Sequence, residues 1–106
     1  MPFLVETTYR AHSSGSENTG SKLCQTLDDA ITYITIDWFE GLCVDYEYPE
    51  MWDADDMGMP FPTQEEFRKS VTEKTATMVR SAQLFAPYSN YCALKPIELS
   101  IHKVGR

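Results

Sequence analysis

Residues 26–41 read TLDDAITYITIDWFEG and run into LCVDYEY over 42–48. In the first segment Leu27, Ala30, Ile31, Ile34 and Trp38 recur at helical spacing, which places them on one face of an amphipathic helix. Thr26 supplies the start, because its hydroxyl can accept the backbone N–H of Asp29, and Asp28 and Asp29 sit where the positive end of the helix dipole favours carboxylates. Gly41 supplies a left-handed stop. The helix expected over 27–40 contains Ile31, Thr32, Ile34, Thr35 and Ile36. These β-branched residues lower its intrinsic propensity, so packing against a sheet must hold it. In the second segment Leu42, Val44, Tyr46 and Tyr48 alternate with Cys43, Asp45 and Glu47, the period-2 pattern of a strand with an apolar face inward and an acidic face toward water.

Working outward, residues 2–11 alternate with Phe3, Val5, Thr7 and Tyr9 on one side and Leu4, Glu6, Thr8 and Arg10 on the other, a half-buried first strand. Residues 12–22, HSSGSENTGSK, are small and polar with two glycines and predict a flexible loop. Pro49 ends the strand over 42–48, and 49–62 reads as a loop from its prolines and glycine, although it carries Met51, Trp52, Met57, Met59 and Phe61. Thr63 followed by Glu66 is the signature of a capping box, opening a second helix with Phe67, Val71, Met78 and Ala82 on a shared face. Lys74 and Thr75 interrupt that face, so 75–85 reads either as its continuation or as an extra strand. A turn over 86–90 precedes a last strand in which Ile97, Leu99 and Ile101 alternate with Glu98, Ser100 and His102. The resulting order, β-α-β-α-β in one domain spanning 1–106, predicts a small two-layer α+β fold with helices mainly on one face of the sheet.

The charge is unevenly placed. From Leu23 to Phe67 there are twelve Asp or Glu and no Lys or Arg, whereas the rest of the chain has nine basic against four acidic residues. The net charge of −7 accompanies 42% hydrophobic residues, too apolar a composition for a disordered acidic tail. At 106 residues a core can form without metal or disulfide. Cys24, Cys43 and Cys92 are odd in number and show no Cys-x-x-Cys spacing, which favours reduced thiols in a cytoplasmic setting. No apolar run has membrane-spanning length.

Motifs for chemistry fail on spacing. Gly15, Gly20 and Lys22 lie between a strand and a helix, yet Ser21 intervenes where a phosphate-binding loop needs Lys, and Leu23 stands where it needs a hydroxyl. Asp53, Asp55 and Gly58 occupy calcium-loop positions, but Met57 and Gln64 replace two further ligands. Cys24 near a helix start, with His12 or His102 as base, would make a Cys-His pair; together with the Asp53–Asp56 cluster this defines the alternative expectation, a small enzyme or divalent-metal-binding module.

The leading expectation is binding without catalysis. Tyr, Trp and Met supply contact area at interface cores, and here they are interleaved with the uncompensated acids. The residues expected to contact a partner are Asp45, Glu47, Glu50, Trp52, Asp53, Asp55, Asp56 and Met57. The profile of small size, acidic charge and absent catalytic motif resembles the acidic inhibitors with which phages and mobile elements block restriction or CRISPR nucleases. That resemblance implies a basic partner protein whose nucleic-acid groove is occupied by a mimic. Neither a cofactor, a catalytic or metal site, a membrane nor direct nucleic-acid binding is expected, since the acidic half would repel phosphates; self-association into a homodimer stays open.

Overall fold

A computed structural model, which describes residues 1–10, 17–90 and 95–105, builds the chain around a four-stranded antiparallel sheet of order β2-β1-β4-β3. The strands are β1 (Phe3–Arg10), β2 (Glu17–Cys24), β3 (Ser81–Phe85) and β4 (Ile97–Lys103). Alternation decides which side of the sheet is covered. Phe3, Val5 and Thr7 of β1 and Ile97, Leu99 and Ile101 of β4 are buried, whereas Leu4, Glu6, Thr8 and Glu98, Ser100, His102 are more accessible. The buried side faces the helices, which completes a two-layer α+β arrangement.

The helical layer differs from the expected β-α-β-α-β order. A single helical run occupies 27–45: α1 (Leu27–Thr32), a π-helical segment (Tyr33–Trp38) and α2 (Phe39–Asp45). Thr26 caps it as expected, its Oγ1 accepting the Asp29 N–H at 3.0 Å. The π segment follows from the crowded β-branched run. Thr35 donates its hydroxyl to the Ile31 carbonyl at 2.7 Å, competing with the backbone for that acceptor, and the Phe39 N–H reaches back to Ile34 O, the longer bond of a π turn.

Gly41 does not stop the run, and 42–48 is not a strand. Ala30, Ile34, Trp38, Phe39 and Leu42 keep helical spacing across the glycine and are all buried, so core packing carries the helix past it. Val44, which a strand would turn inward, is 75% exposed. The left-handed residue that ends the helix is Glu47, at φ 54°, directly after the C-cap Tyr46.

The loop expected over 12–22 is also corrected, since 17–22 belongs to β2; residues 12–16 lie outside the described residues. β2 pairs with β1 along its whole length, from Phe3 opposite Cys24 to Arg10 opposite Glu17. Every side chain of β2 except Cys24 is exposed. The strand is held by the backbone ladder and makes no apolar alternation for the sequence to display.

Beyond Pro49 the chain forms α3 (Ala54–Met57) and α4 (Gln64–Ala76), so the 49–62 segment contains a helical turn. The capping box at Thr63 is present: Oγ1 accepts the Glu66 N–H at 3.1 Å and the Glu66 carboxylate accepts the Thr63 N–H at 2.9 Å. Phe67, Val71 and Thr75 bury against the sheet. The ambiguity over 75–85 resolves as both elements in turn, helix to Ala76 and strand from Ser81. A register shift between Gln83 and Phe85 puts Leu84 and Phe85, neighbours in sequence, both in the core. Trp38 joins the two halves of the helical layer, stacking on Phe67 at 5.7 Å and meeting Phe85 edge-on at 6.1 Å. Among the described residues no helix is long and apolar enough to cross a membrane.

Candidate functional site

The eight residues expected to contact a partner divide by position. Asp45, Glu47 and Glu50 are exposed around the end of the long helical run. Exposed apolar residues alternate with them in the chain, Val44 at 75% and Met51 at 67% accessibility, with Ile36 and Tyr46 less so. Glu40 and Glu50 converge on Cys43, whose thiol pKa is pushed up by burial and then by these two carboxylates. Tyr46 stacks on Tyr9 at 5.1 Å and on Tyr48 at 5.8 Å. Burial, followed by the neighbouring Asp45, raises the Tyr46 pKa. Glu47, between Tyr46 and Tyr48, takes a left-handed conformation that costs a non-glycine residue ~1–2 kcal/mol.

Asp53, Asp55 and Asp56 instead build α3. The Asp53 carboxylate caps it, accepting the N–H groups of Asp55 at 3.0 Å and Asp56 at 3.1 Å. Asp56 then anchors a distant segment: its carboxylate accepts the hydroxyl of the buried Ser89 at 3.1 and 3.2 Å, and its carbonyl accepts the Asn90 N–H at 2.7 Å. Asp53 and Asp55 stay exposed, while Asp56 is partly covered. No group of three His, Cys, Asp or Glu side chains is arranged to hold a metal ion among the described residues.

Two expected contact residues are turned inward. Met57 is buried. Trp52 is half-buried against the core, within 5.0 Å of Tyr48, 5.2 Å of Phe61 and 6.1 Å of Phe85 between ring centres, and its indole N–H donates to the Met59 carbonyl at 2.8 Å. Trp52, Asp53, Asp56 and Met57 meet with Tyr48 and Met51 around a cleft of about 120 Å³, smaller than the usual range for small-molecule sites. An aromatic residue in a proline-bounded segment has the same local signature whether it folds in or stays out; here Phe61 of the same segment and Phe85, distant in sequence, close over the ring.

Cys24 and His102 are not brought together. Cys24 stands opposite Phe3 on the helix-covered side, whereas His102 stands opposite Leu4 on the other, and burial raises the Cys24 pKa, disfavouring the thiolate. His12 lies outside the described residues. His102 has a different set of partners, which only strand register could reveal: Ser81 Oγ lies 2.7 Å from its Nδ1 and Glu6 Oε1 lies 2.7 Å from its Nε2. These contacts have the order of a nucleophile, a base and an orienting acid. They lie on the open side of the sheet with Ser81 exposed, so water reaches the hydroxyl, and the three side chains brace β3, β4 and β1 to one another.

The electrostatic division between the two sides of the molecule is plain. The ion pairs among the described residues are Arg10 with Glu17 at 2.9 Å and Arg10 with Glu98 at 3.3 Å, and His102 meets Glu6 at 2.7 Å, all on the sheet. Asp37, Glu40, Asp45, Glu47 and Glu50 take part in none of them. Compared with known proteins, the chain matches no family model, no curated protein and no solved structure.

Proposed function

We propose that this chain is a protein-binding module, not an enzyme, and that the surface formed by Ile36, Asp37, Glu40, Val44, Asp45, Tyr46, Glu47, Glu50 and Met51 docks a basic protein. The observation carrying this reading is that exposed acids outside the ion pairs of the described residues are interleaved along 36–51 with exposed apolar side chains. A purely solvated face needs no Val44 or Met51 at its surface. A purely apolar patch would not be interleaved with acids along its length. Together they match an interface with an apolar centre and a charged rim that steers an oppositely charged partner. A nucleic-acid-binding groove is a basic surface of this kind, and carboxylates seated there would take the place of phosphates and inhibit its owner. Trp52 and Met57 support the surface from behind; Asp53 and Asp55 extend its charge.

The test is capture of proteins from the native lysate on the immobilised chain, beside two variants. One carries Asp45→Lys, Glu47→Lys and Glu50→Lys; the other carries Val44→Ser and Met51→Ser. The expected result is a basic protein retained by the parent chain, lost with either variant, released by added duplex DNA and held less well as salt rises. A retained protein indifferent to both variants and to DNA would overturn the proposal.

A further inference from the structure

Away from the acidic surface, between α4 and the end of β3, lies a pocket of about 320 Å³, within the usual range for small-molecule sites. Its floor is apolar: Phe67 of α4 with Leu84 and Phe85, all buried. Met59, Pro62 and Ala86 close it at the sides. Along the rim Glu66, Ser70 and Lys74 follow one another at four-residue intervals on α4, so they share one helix face.

The two rim charges are not equivalent. The Glu66 carboxylate is engaged by the Thr63 N–H of the capping box, a bond that lowers its pKa. The Lys74 ammonium donates to the Leu84 carbonyl at 3.3 Å and makes no ion pair among the described residues. An ammonium has three donors, so Lys74 can still offer N–H groups to an anion at the pocket mouth while its aliphatic stem packs against the apolar wall.

The geometry points to a binding site for a small carboxylate with an apolar body, the body lying on Phe67, Leu84 and Phe85 and the carboxylate meeting Lys74. An amphiphile with a cationic head is repelled by Lys74 and meets an opposite charge only at Glu66, whose Oε1 is already held by the Thr63 N–H. A neutral one forgoes the charge-assisted bond, the stronger kind of hydrogen bond.

The probe is decanoate, titrated below its micelle concentration into the ¹⁵N-labelled chain and compared with decyltrimethylammonium. Decanoate should shift the amides of 66–74 and 84–86 saturably, and decyltrimethylammonium should not. Lys74→Met keeps the stem and removes the charge, and should weaken decanoate by about tenfold, or ~1.4 kcal/mol. Ser70→Leu places a good helix former at the rim and should abolish binding by filling the mouth; circular dichroism confirms that both variants fold. The assignment is overturned if decanoate produces no saturable shift, if the two amphiphiles bind equally, or if either variant binds decanoate as the parent does.

Discussion

Replacing Trp52 separates its supporting role in the fold from a direct role at an interface. Its ring is in contact with Tyr48, Phe61 and Phe85, and its N–H satisfies the Met59 carbonyl at 2.8 Å. Truncating a fully buried aromatic to alanine costs ~3–5 kcal/mol. Trp52 keeps part of its surface in water, so Trp52→Ala should fall at the lower end, about 3 kcal/mol. Trp52→Phe retains most of the ring packing and loses the hydrogen bond, which is worth about 1 kcal/mol. Urea unfolding followed by far-ultraviolet circular dichroism measures both. With slopes of ~1–3 kcal/mol per molar urea, Trp52→Ala should lower the midpoint by about 1 M or more, and Trp52→Phe by about a third of that shift. A Trp52→Ala protein within about 0.5 kcal/mol of the parent, the range of an ordinary surface substitution, would refute the packing argument and return Trp52 to the contact surface.

The other outcomes follow from local features. Thr63→Ala removes the hydroxyl that caps α4 and should cost ~1 kcal/mol, read as a lower melting temperature with the fold unchanged by circular dichroism. Burial holds the pKa values of Tyr9, Tyr33, Tyr46 and Tyr48 above the ordinary tyrosine value. The folded state therefore keeps protons that the unfolded chain releases near pH 10, and stability should fall as pH rises past about 10. Phenolate absorbance should then appear together with loss of structure; phenolate formation by Tyr9, Tyr33 and Tyr48 in a chain that stays folded, at the pH of free tyrosine, would contradict their partial burial.

What the sequence disclosed was what short-range physics controls. Thr26 and Thr63 announce their helices because a cap is satisfied within three residues, and the buried faces of β1 and β4 can be read because alternation and burial coincide. The segment 42–48 misleads for a definite reason: Leu42, Val44, Tyr46 and Tyr48 alternate, but the inner face of the preceding helix continues through Leu42, and Glu47 takes the left-handed position expected at Gly41. β2 was hidden because its evidence is a ladder of backbone bonds with β1, to which exposed Asn18, Thr19 and Ser21 add no pattern. At the site, residue type was legible and direction was not. The acids of 45–50 could be recognised by charge, whereas the attachment of Asp56 to Ser89, the inward turn of Met57 and the Glu6–His102–Ser81 contacts depend on chain segments that meet only in the folded state.

The same segment that carries the acids also supplies much of the core. Ile34, Trp38, Phe39 and Leu42 fill the inner side of the long helical run, leaving Asp37, Glu40 and Asp45 exposed on its solvent side. None of the three forms an ion pair among the described residues, and like charges on such a surface work against the compact state. Packing has to offset that repulsion, and the aromatic contacts of Trp38 stacked on Phe67 and Phe67 edge-on to Phe85 provide the means. A basic partner would relieve the repulsion while covering Val44 and Met51. Because a ligand that binds only the folded chain also stabilises it, the partner's affinity and the gain in fold stability would draw on the same neutralised charges. Alternating signs along 23–67 would serve the fold alone better. A single sign becomes useful when the opposite charge arrives on another molecule.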